Sequence, residues 1–201
     1  DLGFQGIEMR GIGNELFSVH AKPFKAENIE QTVANLKKLH LEIPCLSSGC
    51  SLKYPEKKAE TIAELREYII LAQKLGTPYI RVLADENAEA NGPVDDELVL
   101  SSLQELVPFA EESGVTLLVE TNGVYADTAR LKSLLDRITS DNVAALWDLH
   151  HPYRFHGESP RETYDNIGRW VEYIHVKDSV MVDNKVVYRM MGYGDVPVMD
   201  T

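Results

Sequence analysis

The stretch that decides the fold is Val143–Pro152, with the sequence Val-Ala-Ala-Leu-Trp-Asp-Leu-His-His-Pro. Its apolar run continues without interruption to Trp147 and then meets Asp148. A short continuous apolar run is typical of a strand buried on both faces, as in parallel sheets. A carboxylate at the end of such a strand is costly to bury unless a charged or strongly polar group meets it. Because His150 and His151 follow at once, we expect that group to be a metal ion.

The same pattern of an apolar strand with a polar end repeats on both sides of this stretch. Val115–Glu120 precedes it and Tyr173–Asp178 follows it. Farther out, helical and strand-like segments alternate along the chain, which predicts parallel β/α architecture. We predict strands at Gly6–Arg10, Leu41–Ser47, Pro78–Ala84, 115–120, 143–148 and 172–177, and helices at Ala26–Leu39, Lys57–Leu75, Asp95–Ser113, Asp127–Thr139 and Pro160–Trp170.

Two interruptions of this pattern are expected. Pro108 should kink the third helix or separate its first turn, because proline lacks the amide hydrogen that an α-helix requires. Beyond the last strand, Val182–Val187 suggests a small excursion and Gly192–Asp195 a loop.

Two parallel folds fit the alternation of strands and helices. A doubly wound open sheet usually carries a glycine-rich phosphate loop after an early strand, and Gly11-Ile12-Gly13 lacks the third glycine of that motif. A (β/α)8 TIM barrel places functional residues at the carboxyl ends of several successive strands, where polar residues occur here. We therefore predict an α/β fold of the barrel type, with a single domain over residues 1–201. A barrel needs eight strands in about 250 residues, so we expect it to be truncated at both ends, with the first and last strands missing.

Composition limits the classes of partner. The chain has 201 residues, 44% of them hydrophobic and 26% charged, with a formal net charge of −12. Proteins that bind nucleic acids normally need a basic surface, so we expect no nucleic-acid partner. No apolar run approaches the roughly 18 residues of a membrane-spanning helix, so we expect no membrane partner. Cys45 and Cys50 are too few for a disulfide framework, which favours reduced thiols and a cytoplasmic location.

Three polar side chains stand out because each lies at or near the end of a successive strand. Glu120, Asp148 and His175 are 28 and 27 positions apart, one strand–helix unit each. Neighbouring parallel strands in a barrel would bring these side chains to one place. Two carboxylates and an imidazole suit one divalent cation such as Mn²⁺, Co²⁺, Mg²⁺ or Zn²⁺. The alternative for each residue alone is structural: a lysine salt bridge for Glu120, a loop cap for Asp148 and a hydrogen-bonded core histidine for His175.

These motifs resemble the xylose isomerase-like barrels, the superfamily of sugar isomerases, sugar epimerases and endonuclease IV. The matching pieces are Gly6-Ile7-Glu8, Val119-Glu120-Thr121-Asn122, Asp148-Leu149-His150-His151, Ile174-His175-Val176-Lys177-Asp178 and Gly192-Tyr193-Gly194-Asp195-Val196. The resemblance covers essentially the whole chain. It implies one divalent metal held by Glu120, Asp148, His175 and a further Glu from the last strand, for which the sequence offers no candidate before Thr201.

The resemblance also implies roles in catalysis. A cation bound to the carbonyl and adjacent hydroxyl oxygens of a keto sugar acidifies the C–H group between them and stabilises the enediolate that forms. The Glu at the position of Glu120 then acts with the last-strand Glu as the pair that removes and returns the proton. His151 matches the family histidine that contacts substrate oxygens.

Other charged residues near the strand ends are candidates for substrate binding from their positions. Lys177, at the predicted barrel mouth, either binds a substrate oxyanion or phosphate or neutralises the carboxylates. Glu8 and Arg10 share one face of the first predicted strand, and Arg81 lies within another. An inward arginine in a barrel either holds substrate or pairs with a carboxylate. His150 is expected to point away from the site, since neighbours on an extended segment face opposite sides.

We predict a divalent-metal-dependent sugar isomerase or epimerase of carbohydrate metabolism that acts on a ketose or related polyol derivative through an enediolate. The alternative is a dehydratase of a keto-polyol or keto acid, which uses the same metal and the same proton abstraction. A non-catalytic sugar-binding protein fits less well. So does an abasic-site endonuclease, whose trinuclear zinc cluster needs more histidines than the predicted mouth contains. The expected partners are a small sugar substrate and, in a homo-oligomer, further copies of the chain.

Overall fold

The computed structural model describes residues 3–198 and shows an α/β fold built on a parallel sheet of five strands. The strands pair in the order in which they occur along the chain, and a helix lies in each crossover. This sequential parallel order is that of part of a barrel and confirms the predicted fold class. The sheet strands are β1 Cys45–Ser51, β2 Tyr79–Leu83, β3 Thr116–Glu120, β4 Val143–Asp148 and β5 Val171–His175; the helices are α1 Ile29–Leu39, α2 Lys58–Leu75, α3 Asp96–Ser113, α4 Thr128–Leu135 and α5 Pro160–Ile167.

The first predicted strand, Gly6–Arg10, contacts the edge of the sheet without forming a regular strand. It pairs in parallel through two isolated bridges, from Gly6 to Glu42 and from Met9 to Leu46. The predicted single domain over residues 1–201 stays a prediction, and residues 1, 2 and 199–201 lie outside the described residues.

Strand β1 lies four residues later than predicted, at Cys45–Ser51 instead of Leu41–Ser47. Its small polar residues have the composition of a loop, yet they are buried within the sheet. The Ser47 hydroxyl donates a hydrogen bond to the Glu8 carboxylate, and the Ser48 hydroxyl donates one to the Arg81 carbonyl at 2.6 Å. These partners, distant in sequence, satisfy the serines and allow the strand to continue through them.

The helices follow the predicted periodicity but some are shorter. Helix α1 begins at Ile29 instead of Ala26, and α4 ends at Leu135 instead of Thr139. Helix α3 is continuous through Pro108, so a break at this proline does not occur. Its buried side chains on either side of the proline, including Leu103 and Leu106, pack into the main core and hold the helix together. None of the helices within residues 3–198 combines the length and apolarity needed to cross a lipid bilayer.

Alternate residues of the sheet face two different layers. On one face, Leu46, Ile80, Val82, Leu117 and Val119 join the main core that the helices cover. The other face carries a small apolar cluster made of Leu118, Ala144 and Leu146, with Tyr79 and Tyr173 packed against it. Because side chains alternate with a period of two, the next residues on this second face are Glu120, Asp148 and His175. A charged layer therefore lies directly above an apolar layer.

After β5 the chain forms an antiparallel hairpin, β6 Asp178–Val182 and β7 Lys185–Arg189, where the sequence indicated only a small excursion. Asp178 at its base is 2% exposed. Its carboxylate accepts hydrogen bonds from the backbone N–H groups of Ser179, Gly192, Gly194 and Val196, at 2.8 to 3.3 Å. These bonds draw the loop after the hairpin back to the end of the sheet.

Candidate metal centre

Glu120, Asp148 and His175 come together at the carboxyl ends of β3, β4 and β5. One potential ligand atom of each lies within 4.8 Å of the other two. His175 Nδ1 is 3.1 Å from Glu120 Oε1 and 3.8 Å from Asp148 Oδ2. Glu120 and Asp148 are 3% and 0% exposed. The structure thus brings the predicted trio together, and metal coordination by the trio stays a prediction.

The register of the sheet produces this convergence. His175 is aligned with Asp148 across β4 and β5, and Glu120 is aligned with Leu146, two residues before Asp148. Thr121, which directly follows Glu120, holds the two strand ends together. Its hydroxyl accepts a hydrogen bond from the Asp148 N–H at 2.9 Å and donates to the Asp148 carbonyl at 3.2 Å. Sequence reasoning gave Thr121 no role, although its position next to Glu120 was the available signal.

Asp148 is buried with one carboxylate oxygen only partly satisfied. Its Oδ1 accepts a hydrogen bond from the backbone N–H of His150 at 3.0 Å. Its Oδ2 has an ion-pair partner, Lys177 Nζ at 2.5 Å, but no hydrogen bond of acceptable geometry within the described range. Because the partner of Oδ2 is a cationic group on a partly exposed side chain, this oxygen is suited to bind a cation. Two carboxylates and one imidazole at this spacing therefore fit a divalent metal ion.

Arg81 keeps Glu120 ionised. Its guanidinium lies 3.2 Å from Glu120 Oε2 and donates a second hydrogen bond, of 2.8 Å, to the Ser48 carbonyl. Burial alone would raise the pKa of Glu120, but the hydrogen bond with His175 and the charge of Arg81 outweigh it and lower the pKa to about 2. Glu120 is therefore a carboxylate at every pH near neutrality.

His175 lies between two carboxylates, Glu120 on one side of its ring and Glu8 on the other. Its Nε2 is 2.9 Å from Glu8 Oε2. Burial alone would lower the pKa of His175, but the hydrogen bonds to Glu120 and Glu8 raise it to about 9. Glu8 also accepts the hydrogen bond from Ser47; burial opposes ionisation, yet the bonds to His175 and Ser47 leave the pKa of Glu8 lowered. Without a metal, the ring is therefore an imidazolium held by both carboxylates.

His151 and Lys177 lie beside Asp148. His151 Nδ1 is 3.1 Å from the Thr121 carbonyl, which can only accept, so this nitrogen carries the proton. His151 Nε2 is then an acceptor and lies 2.9 Å from Lys177 Nζ. Burial lowers the pKa of His151, which keeps its ring neutral. The pair offers one acceptor and one donor next to the candidate cation position.

Arg10 does not join this group. It is exposed, and its side chain forms no ion pair with any residue between 3 and 198.

His150 was expected to lie on an extended segment. This expectation is wrong, because the chain turns into a helical conformation after Asp148. The His150 ring is fully buried, with 2.9 Å between its Nε2 and Ser179 Oγ, and one of its nitrogens also lies within 4.8 Å of potential ligand atoms of Asp148 and His151. Ser179 also bonds Arg154, so this network ties the β4 loop to the hairpin.

Comparison with known proteins agrees with this architecture. Residues 1–200 match the family model described as xylose isomerase-like TIM barrel. No curated protein matches the chain at a significant level.

Three solved structures illustrate the likeness. A xylose isomerase-like TIM barrel protein from Mycobacterium smegmatis, in complex with magnesium, has a TM-score of 0.77 and 19% identity over 98% of this chain and 72% of that chain. The "probable 3-DHS dehydratase AsbF" from Bacillus anthracis has a TM-score of 0.76 and 20% identity, covering 98% and 77%. The D-allulose 3-epimerase from Methylomonas sp., in complex with D-allulose, has a TM-score of 0.74 and 15% identity, covering 98% and 67%. At these identities the likeness shows the fold alone.

Proposed function

The chain belongs to the xylose isomerase-like TIM barrel family, and on that premise we propose that it is a divalent-metal-dependent sugar isomerase or epimerase. The observation that carries the proposal is the meeting of Glu120, Asp148 and His175 around one position, where Asp148 Oδ2 already holds a cationic group, the Lys177 ammonium. The proposed substrate is a ketose or a related polyol derivative. The epimerase with D-allulose among the similar structures supports this class of substrate.

Glu120, Asp148 and His175 are the residues that would hold the cation. A bound Mn²⁺, Co²⁺, Mg²⁺ or Zn²⁺ supplies Lewis acidity that polarises a carbonyl oxygen and acidifies the adjacent C–H group. One similar structure is a complex with magnesium and another, of the IOLI protein, has a bound zinc atom, and both support a divalent metal as the cofactor.

Glu120 is the proposed base. Its Oε1 lies next to Nδ1 of His175, on the side of the candidate cation position, and its Oε2 is paired with Arg81. This pairing keeps the carboxylate in the ionised form, which is the form that a general base requires. The apolar cluster beneath the charged layer excludes water from that side of the site.

His151 and Lys177 are the proposed contacts to substrate oxygens. His151 Nε2 can accept a hydrogen bond from a sugar hydroxyl, and the Lys177 ammonium can donate to a carbonyl or alkoxide oxygen. Substrate binding by Glu8, Arg10 and Arg81 stays a prediction. The side chains of Glu8 and Arg81 are engaged by His175 and Glu120, and Arg10 is exposed.

The second candidate is a dehydratase that begins with the same proton abstraction. The similarity to the AsbF structure and the position of Lys177 favour it, because an ammonium can donate a proton to a departing hydroxyl group. A cytoplasmic location, a homo-oligomeric state and a role in carbohydrate metabolism remain predictions.

Solvent exchange of the substrate separates these functions. The purified chain with Mn²⁺ or Co²⁺ is incubated with ketoses in D₂O, and the products are analysed by mass spectrometry. Deuterium incorporation with an isomeric product supports the isomerase or epimerase, whereas loss of water supports the dehydratase. Glu120→Gln should abolish exchange, and Glu67→Gln, at an exposed position on α2, should not. The absence of exchange with every ketose and polyol derivative tested would contradict both enzymes.

A further inference from the structure

Glu8 approaches the candidate metal centre from a separate part of the fold. It belongs to the Gly6–Arg10 segment at the edge of the sheet, 167 positions from His175 in sequence. Its carboxylate lies 2.9 Å from His175 Nε2, whereas Glu120 and Asp148 face Nδ1 of the same ring. Glu8 is not in the group of ligand atoms that lie within 4.8 Å of one another. It is therefore behind the ring and cannot bind the same ion as Nδ1.

The two ring nitrogens have different requirements. A histidine binds a metal through an unprotonated nitrogen, so ligation through Nδ1 needs the remaining proton on Nε2. Glu120 Oε1, 3.1 Å from Nδ1, would by itself favour the opposite tautomer, with the proton on Nδ1. A carboxylate at Nε2 offsets this preference, because it accepts a hydrogen bond from the Nε2–H group and holds the ring in place.

Glu8 is itself held in position. The Ser47 hydroxyl on β1 donates a hydrogen bond to Oε1, which leaves Oε2 for His175. Both the Glu8 and His175 side chains are only 21% exposed, so water competes weakly for this contact.

We infer that Glu8 is a positioning residue that fixes the orientation of His175, with Nδ1 directed at Glu120 and Asp148, and that keeps a proton on Nε2 when Nδ1 gives up its own to bind a metal ion. The inference rests on the proposed function, because orienting His175 serves metal binding. It replaces substrate binding as the role of Glu8. Ser47, through Glu8, belongs to the same arrangement.

Zinc affinity measured by calorimetry is the first test. Glu8→Ala should weaken Zn²⁺ binding by about 10- to 100-fold, the usual cost of removing the hydrogen-bond partner of a ligating histidine. Glu8→Gln should lose less than Glu8→Ala, because its amide oxygen still accepts a hydrogen bond from Nε2. Ser47→Ala should have a smaller effect of the same sign. Glu42→Ala is the control, because Glu42 is exposed and its backbone pairs with Gly6 in the segment that carries Glu8. Its affinity for Zn²⁺ should stay within about twofold of that of the wild type.

The nitrogen-15 NMR spectrum of the histidines is the second test and needs no metal. In the wild-type chain the Nε2 proton of His175 should be protected from exchange with water, and Glu8→Ala should remove this protection. Zinc binding that is equal in Glu8→Ala and Glu42→Ala would overturn the inference and leave the proposed function intact. A wild-type chain that binds no Zn²⁺ would overturn the proposed function, and the NMR result would then decide the role of Glu8 by itself.

Discussion

Asp148 and Asp178 are both buried carboxylates at the same end of the sheet, yet their partners differ in kind. Asp178 accepts four hydrogen bonds from backbone N–H groups. Asp148 has one such bond, to its Oδ1, and the partners of its Oδ2 between residues 3 and 198 are side chains, those of Lys177, His151 and His175. Backbone donors cannot leave unless the loop unfolds, whereas side chains can rotate away.

This difference separates a structural carboxylate from one that is free to exchange its partner. A cation that binds at Asp148 displaces the ammonium group of Lys177 and the Nδ1 proton of His175. A cation arriving at Asp178 would have to break the loop after the hairpin. The two residues are of the same type and are similarly buried, so the chemical nature of their hydrogen-bond donors distinguishes their roles.

The largest expected difference between Asp148 and Asp178 is in the affinity for Zn²⁺ after each carboxylate is replaced by an amide. Asp148→Asn removes a proposed ligand, so the affinity for Zn²⁺ should fall by more than about 100-fold, beyond the cost of losing a supporting hydrogen bond. Asp178→Asn should leave the affinity of the folded protein within about twofold, since Asp178 is outside the ligand group. Isothermal titration calorimetry measures both. Equal losses of affinity in the two variants would contradict the assignment.

Stability should show the opposite order. Asp178→Asn places an amide NH₂ group against backbone N–H donors, so buried donors lose their acceptor and the melting temperature should fall by several degrees. Asp148→Asn should lower it less, because Lys177 is partly exposed and can return to water. Thermal denaturation followed by circular dichroism, without added metal, tests this. A larger loss in Asp148→Asn would show that Asp148 is the structural residue.

Replacing Lys177 should change the affinity for Zn²⁺ by a smaller factor and test whether the partner of Asp148 can be displaced. Its ammonium competes with a cation for Asp148 Oδ2 but is partly exposed, so Lys177→Met should increase the affinity for Zn²⁺ by up to about fivefold. The turnover of sugar should fall, since the same ammonium is a proposed substrate contact. Lys132→Met is the control for the change in net charge, because Lys132 lies on α4 and its ammonium forms an exposed ion pair with Asp136. A decrease in zinc affinity would contradict competition.

The pH dependence of stability should give the smallest difference. Burial raises the pKa of Asp178, but the backbone hydrogen bonds outweigh it and lower the pKa below its ordinary value of 3.8. A carboxyl group with a lowered pKa in the folded state stabilises the fold above its ordinary pKa, and this contribution is lost as the pH falls through the lowered value. The gap in urea stability between wild type and Asp178→Asn should therefore be constant from about pH 7 to 5 and narrow below about pH 4. A gap that widens in acid would contradict the direction of the shift.

Local information in the sequence was sufficient for some elements and not for others. The bounds of β4 could be predicted to the residue, because an apolar run ending in a carboxylate specifies both its burial and its end. Strand β1 was displaced in the prediction, because its buried serines are satisfied by Glu8 and by the Arg81 carbonyl, which are far away in sequence. Helix α3 continues through Pro108 because packing against the core outweighs the loss of one hydrogen bond.

The candidate site shows the same division. The meeting of Glu120, Asp148 and His175 follows from strand ends one module apart, so the sequence contained it. Which partner each side chain selects depends on register and rotamer, which the sequence does not display. The contact between Glu8 and His175 and the loop bonds of Asp178 belong to this second class.

The apolar cluster beneath the charged layer has a consequence for how this protein can change. Tyr79, Leu118 and Leu146 project from strand interiors, whereas the approach to the charged layer is bordered by loops that follow the strands. A molecule that approaches from the loop side therefore contacts loop residues before it reaches the charged layer. Mutations in the loops can alter which molecules are accepted while the floor keeps the sheet folded, so selectivity and foldedness can evolve through separate sets of residues.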